Sequence, residues 1–420
     1  IGGSGSINAM IYARGLKSDY ENWNLNSKWS WENIKSTFNE LEYAVNEEHN
    51  QLPINKIPVN DVSSQHHPIL DNFFKAAKEF NFNFNKQLKS TTENQVGHYN
   101  VNTYKGFRNS SAKSFLGPIK NNPHLTILTK TEVLKLNFKN NKISSLNIKH
   151  KGKILEVKPK IGTILSSGSI MTPYLLLKSG IGNPTDLNKF NIPVVLNSPH
   201  VGKNFQDHLG LDYLYKTYFP TLNKDLGTWG GRVRSFLQYV YNRKGPLSLS
   251  LNQGGGYVNW KSLDPYPNIQ LYFNPLTYSV SFKNKRPLLN TDKFNGFIIG
   301  FNSCRPKSLG EVNLKNVDNN YVPSIDPRYL SDERDIHDLY STFDFIRKFS
   351  LNKNITNIIK SPVNIDPIKL SDNELLDHFK SNATTIYHPC GTCRMSKEVN
   401  TGVVSEKLKV HGLDNLWVVD

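Results

Sequence analysis

A short apolar run, Ile161-Gly162-Thr163-Ile164-Leu165, stops at the small residues Ser166-Ser167-Gly168-Ser169 and gives way to a helical pattern over Thr172–Lys178. Few features restrict a fold more than this one. An apolar strand, a Gly/Ser turn and a helix that starts at once form a ligand-facing unit of α/β proteins, because the first N–H groups of the helix have no partner within it. Leu416-Trp417-Val418-Val419 reads as another buried strand at the far end of the chain. With 420 residues the chain exceeds what one core usually carries, so two closely packed domains are expected.

The rest of the chain alternates between the two periodicities. Gly2–Ser6 is a flexible turn, with a helix expected over Ile7–Arg14. Ser30 is placed to cap a helix running toward Tyr43, and the polar, Pro/Asn-rich residues 44–66 read as a surface loop. Pro68–Phe80 has Ile69, Phe73, Phe74 and Ala77 on one helical face. Leu125–Thr129, Glu132–Phe138, Ile143–His150 and Lys153–Val157 are β-rich runs separated by Asn/Lys turns. Residues 211–325 alternate short strands with Gly/Pro loops, and Asp332–Leu351 is an amphipathic helix with Ser331 as its cap. There is no internal repeat and no clean linker.

Several function classes are excluded or disfavoured. No apolar run approaches the roughly 20 residues that span a bilayer. The net charge of +16 comes from lysines scattered among asparagines, as in Asn137-Phe138-Lys139-Asn140-Asn141-Lys142, so a solvated basic surface is expected and no nucleic-acid partner. Three cysteines, Cys304, Cys390 and Cys393, make no disulfide framework, which favours a reducing compartment. No P-loop, nucleophile elbow or complete Gly-x-Gly-x-x-Gly fingerprint occurs, so the diphosphate loop of any dinucleotide would have to lie before Ile1. Pro389-Cys390-Gly391-Thr392-Cys393 matches half of a zinc deaminase signature, but no His-x-Glu supplies the other half, and no metal is expected. His388, beside that turn, is a candidate base, since imidazole is the side chain best suited to take a proton near neutral pH.

Five segments in order then resemble one family. Gly2–Gly15 (Gly-Gly-Ser-Gly-Ser-Ile-Asn-Ala-Met-Ile-Tyr-Ala-Arg-Gly) is similar to the first signature of the glucose–methanol–choline (GMC) oxidoreductases, and Gly168–Gly182 to the second. Val201-Gly202-Lys203-Asn204-Phe205-Gln206-Asp207-His208, Tyr387–Met395 and Val403–Asp420 resemble three further family segments, the second of them the active-site block. Gly245–Gln253 and Ile325–Ser331 resemble bacterial choline and alcohol dehydrogenase-like members.

The resemblance implies an α/β (α+β overall) fold: a Rossmann-like FAD-binding domain over 1–20, 106–208 and 388–420, interleaved with a substrate domain built on an antiparallel sheet over 21–105 and 209–387. It implies FAD as cofactor and a small-molecule alcohol as substrate. Electrons would pass on to an acceptor such as a quinone, another carrier or O2. His388 would be the general base, and Gly3, Asn8, Ala9, Met10, Ile11, Val133 and Asp420 would contact the cofactor. Asp207 and His208 are read as structural. Ile161–Leu165 and Thr172–Lys178 would share a domain with Ile7 and Val418. A location in the cytoplasm or peripheral to the inner membrane would follow. The diphosphate loop would precede Ile1 and a second active-site His or Asn would follow Asp420, so the chain reads as an internal fragment. A hydroxynitrile-lyase-like or inactive member of the same fold is the alternative.

Overall fold

The computed structural model describes residues 1–45, 52–281 and 288–420. The strand–turn–helix unit is present, with its strand shortened at the start and its helix beginning four residues earlier than expected, at Gly168. Thr163–Leu165 lies parallel to Leu416–Val418, with Leu165 opposite Val418, and the helix Gly168–Lys178 follows directly. Thr172 to Leu177 of that helix are buried, and Leu165, Leu176, Val403 and Leu416 belong to one core. Each such side chain contributes about 1.5–3 kcal/mol by leaving water, enough to hold two strands that are distant in sequence. The antiparallel sheet Thr131–Lys139, Lys142–His150 and Lys153–Val157 closes this core through Leu136 and Ile143. The hairpin Glu311–Val317/Asn320–Asp326 packs on the same helix.

A second core sits under an eight-stranded sheet. Its main path runs Ser361–Pro362, Leu209–Lys216, Gly296–Ser303, Ile269–Asn274, Gly254–Val258, Gln95–His98 and Asn83–Gln87, and Thr384–Thr385 adds to Leu209–Lys216. All pairs are antiparallel except the last on the path. Strand alternation sorts the side chains: Leu271, Phe273, Tyr213 and Tyr215 point into the core, whereas Asp212, Gln270 and Tyr272 face the other way. The helices Leu70–Glu79, Glu333–Ser350 and Asp372–Asn382 supply Phe73, Phe343, Phe349 and Phe379 to the core. The fold is thus mixed α/β, with a small parallel pair in one core and a large, mainly antiparallel sheet over the other.

Local expectations fail where no partner completes the element. Ile7–Arg14 is not a helix: Gly3–Ser6 makes one tight turn, and Ile11–Tyr12 pairs with Asn100–Val101. Ile7 is 86% exposed and joins no core. Leu125–Thr129 forms no strand: it pairs with no other strand among the described residues, and Ile127 and Leu128 stay exposed. The 44–66 loop contains Ile57–Asn60, which pairs in parallel with Glu42–Val45; residues 46–51 of it, like 282–287 of the 211–325 region, lie outside the described residues. The helix Glu333–Ser350 is capped by Asp332, not Ser331: the Asp332 carboxylate accepts the Arg334 N–H at 3.0 Å. The Ser30 hydroxyl makes no cap bond, although the helix does begin at Trp31.

Candidate active site

The site is built where the end of the eight-stranded sheet meets the core around the Gly168–Lys178 helix. Thr384 and Thr385 pair with Gly210 and Leu209, the Ile386 N–H bonds the His208 carbonyl at 3.1 Å, and Cys390 exchanges two backbone bonds with Gln206 at 2.9 and 3.0 Å. This antiparallel zip lays His388 alongside Asp207 and His208. Gly391 then turns the chain at φ 91°, where a Cβ would lie 2.2 Å from the Asn204 carbonyl oxygen, so only glycine fits.

Asp207 is buried and accepts three bonds: the Tyr329 hydroxyl at 2.6 Å, the Thr385 hydroxyl, and the His388 N–H at 3.0 Å. It therefore holds the backbone of the candidate base from below. The His208 and His388 rings stand 5.5 Å apart, nearly edge to face. Burial pushes the His388 imidazole below its ordinary value, with the Asp207 charge opposing. His208 is driven down to about 4, mainly by burial and then by repulsion from His388. Burial thus favours the neutral form of both rings, which for His388 is the form a base requires.

Two clefts meet at this histidine pair. One, of about 870 Å³, is lined by the outer face of the sheet, including Asp212, Gln270 and Tyr272, and by Asn8, Ala9 and Ile11. The other, of about 1060 Å³, is lined by Gly168, Ser169, Asp420 and the 389–396 segment. His388 and His208 border both. In the first cleft the Tyr272 hydroxyl donates to Asp212 at 2.8 Å, while burial pushes the Asp212 carboxyl up. In the second the Asp420 carboxylate accepts the Gly168 N–H and, at 3.3 Å, the Thr172 hydroxyl. A Cβ at Gly168 would meet nothing within 4 Å, so the backbone at this helix start is open to a ligand.

The active-site segment is tied to the helix by a specific defect. Pro173 has no N–H to donate to the Ser169 carbonyl four residues earlier. The buried Thr392 hydroxyl donates to that carbonyl at 2.6 Å instead.

The remaining candidate residues fall into two sets. Asn8, Ala9 and Ile11 share the first cleft with His388, and Asp420 shares the second. Met10 lies in the same loop at φ 65° with its N–H on the Asn8 side-chain oxygen at 3.0 Å, but it does not line either cleft. Gly3 sits in the preceding turn with open space at its Cβ position, and Val133 lies on the 131–139 strand away from both clefts. Arg108 carried no sequence signal. Its guanidinium donates to the Asn8 side-chain oxygen at 2.5 Å and the Asn8 carbonyl at 2.7 Å, pinning the loop that borders the cleft. Burial holds the thiols of Cys390 and Cys393 above their ordinary value, so both stay protonated, and among the described residues no group of three or more His, Cys, Asp or Glu side chains could hold a metal ion.

Comparison with known proteins agrees with this architecture. Family profiles described as GMC oxidoreductase match residues 1–210 and 306–420. The alcohol dehydrogenase [acceptor] of Pseudomonas putida is 31% identical over all of this chain and 76% of its own length. The mitochondrial choline dehydrogenase of Mus musculus is 27% identical over all of this chain and 70% of its own. Among solved structures, a pyridoxine 4-oxidase from Mesorbium loti superposes with a TM-score of 0.82 at 24% identity, covering 99% of this chain and 77% of that one. A formate oxidase superposes at 0.87 with 23% identity, covering all of this chain and 78% of that one.

Proposed function

The chain belongs to the GMC oxidoreductase family, and on that premise we propose that it oxidises a small alcohol to the aldehyde or ketone with His388 as general base. The observation that carries this reading is the position of His388 at the junction of the two clefts. The cleft against the sheet suits the alcohol, and the cleft at the Gly168 helix start suits FAD, the family's cofactor. When bound, FAD supplies the electron sink that accepts the hydride.

The chain's own residues do the rest. Among the described residues no hydrogen bond engages the ring nitrogens of His388, so one of them is available to accept the hydroxyl proton. Removing that proton matters because hydride leaves an alkoxide far more easily than a neutral alcohol, and a positioned base typically contributes about 10²–10⁴-fold. Asp207, through the His388 backbone, fixes where the ring stands. Asn8, Ala9 and Ile11, which line the sheet cleft beside His388, would border the cofactor's ring system where it reaches the junction of the two clefts, with Gly3 and Met10 setting the loop's path, and Asp420 would face its ribityl and diphosphate end. Val133 is assigned to the adenine end by its place in the family alone.

The alcohol cleft mixes Asp212, Tyr272, Asn274 and Asn302 with Leu211 and Ile386, a lining suited to an alcohol with a second polar group. Residues 1–20, 106–208 and 388–420 are assigned to the FAD-binding part and 21–105 and 209–387 to the substrate part, a division supported by the two cores except at the Glu311–Asp326 hairpin, whose Leu314 joins the core of the Gly168–Lys178 helix. Electrons would leave to a quinone, another carrier or O2.

The test uses the full-length protein loaded with FAD. Anaerobic addition of a good alcohol should bleach the flavin, which a lyase would not do. His388→Ala should retain FAD yet slow bleaching by at least about 10²-fold, with partial recovery at high pH, where alkoxide forms without the protein. Bleaching by His388→Ala at near wild-type speed overturns the assignment.

A further inference from the structure

The helix Trp229–Asn242 is amphipathic the wrong way round for a soluble surface. Its inward residues are Gly231, Ser235 and the partly buried Tyr239, spaced four apart. Its outward residues are Trp229, Val233, Phe236, Leu237, Val240 and Tyr241. At 3.6 residues per turn these six fall within an arc of roughly 140°. Trp229 is 82% exposed, Tyr241 93%, and Phe236 and Leu237 57% and 59%. A contiguous exposed stripe of this kind marks an interaction surface, whereas single exposed apolar residues do not.

The helix is held in this orientation from within. The Thr228 hydroxyl caps it by accepting the Gly231 N–H at 3.2 Å. A Cβ at Gly231 would lie 2.4 Å from the Asp225 carbonyl oxygen, so no larger side chain could face inward there. The Tyr239 hydroxyl donates to the Gly106 carbonyl at 3.1 Å, and the Arg243 guanidinium covers the Phe107 ring at 4.8 Å. Rotating the stripe inward would break all of these contacts, so its exposure is a built feature of the fold.

Charge indicates what covers it. Residues 216–261 carry seven basic side chains and one acidic one, Asp225. Arg232 and Arg234 flank the apolar arc on its two sides; Arg234 pairs with Asp225 at 2.7 Å, and Arg232 bonds the Leu226 carbonyl. Lys224 lies exposed just before the helix, and Arg243 and Lys244 follow it. A second copy laid on the same stripe would set these cations against their own kind. An apolar stripe with aromatic residues along it and cations at its edges matches the boundary between acyl chains and anionic headgroups.

We propose that the Trp229–Asn242 helix docks this protein onto an anionic lipid membrane surface, lying in the plane of the interface without crossing it. Among the described residues no helix is long and apolar enough to span a bilayer. The proposal goes beyond the alcohol chemistry and does not depend on His388.

Full-length, FAD-loaded protein floated with vesicles of equimolar phosphatidylcholine and phosphatidylglycerol should bind, and with phosphatidylcholine alone should bind at least tenfold more weakly. Binding should fall as salt rises toward about 1 M, where the Debye length is roughly 3 Å. The double substitution Phe236→Asp with Val240→Asp should weaken binding at least tenfold while leaving melting temperature, FAD content and turnover of soluble alcohol unchanged. If that variant proves unstable, Trp229→Phe serves instead: wild-type fluorescence should shift to the blue on vesicle addition and the variant's shift should be smaller. No binding to anionic vesicles, equal binding by the double variant, or a stable solution dimer that the double variant splits would each overturn the proposal, the last in favour of a second copy on the stripe.

Discussion

Removing the Asp207 carboxylate should cost stability and also change how the site responds to pH, and the second effect separates positioning from mere packing. In Asp207→Ala three donors lose their acceptor at once: the Tyr329 hydroxyl, the Thr385 hydroxyl and the His388 N–H. A buried donor left unsatisfied costs about 1–3 kcal/mol, so a loss of about 3–5 kcal/mol is expected, at the upper end for one substitution. Asp207→Asn keeps the oxygen that receives the His388 N–H, and the two hydroxyls can rotate to accept from the new amide, so its cost should be near 1 kcal/mol. The charge is nevertheless gone. Asp207 raises the affinity of His388 for a proton, against burial, which lowers it. Without the carboxylate the imidazole should lose its proton at lower pH still. The acid limb of kcat/KM for alcohol oxidation should lie below the ordinary imidazole range in the wild type and move further down in Asp207→Asn. The assay is urea unfolding of both variants together with a pH profile of flavin reduction. An acid limb that stays put or moves up, or an Asp207→Ala cost under about 1 kcal/mol, would refute the reasoning.

Other outcomes follow from the same geometry. His208 has a folded-state value near 4 against 6.5 for a free imidazole, so the unfolded chain binds its proton first as pH falls. The stabilisation from keeping His208 neutral is complete above pH 6.5 and lost between 6.5 and 4, of order 3 kcal/mol, and His208→Gln should flatten the pH dependence of the urea midpoint in that window. Thr392→Val should lower stability by about 1–2 kcal/mol in thermal unfolding, because the Ser169 carbonyl, already without a helical donor at Pro173, loses its only replacement among the described residues. Arg108→Ala should free the Asn8 loop and weaken FAD retention on dilution, while a distant exposed control such as Lys160→Ala should leave retention unchanged.

What the sequence determined by itself was whatever depends on neighbours along the chain. The Pro68–Phe80 and Asp332–Leu351 periodicities, the β-runs of 131–157 and the strand–turn–helix unit at 163–178 each follow from side-chain spacing within a dozen residues, and each is present. The ordered motifs from Gly2 to Asp420 were enough to identify the family, since spacing and order survive where most other positions differ.

The tertiary structure decided what needs a partner from elsewhere. Leu125–Thr129 has a strand's composition but finds no strand to pair with among the described residues, while Ile57–Asn60, inside a polar stretch, became a strand because Glu42–Val45 was there to pair with it. The role of Asp207 depends on Tyr329 and Thr385, both more than a hundred residues away, and that of Arg108 on Asn8, a hundred residues before it. The exposed stripe of Trp229–Asn242 has the spacing of an ordinary buried helix face, and the tight approach of Gly231 to Asp225, with the Tyr239–Gly106 bond, turns that face outward. Periodicity states which side chains share a face; which way the face points is set by the space its smallest residues leave.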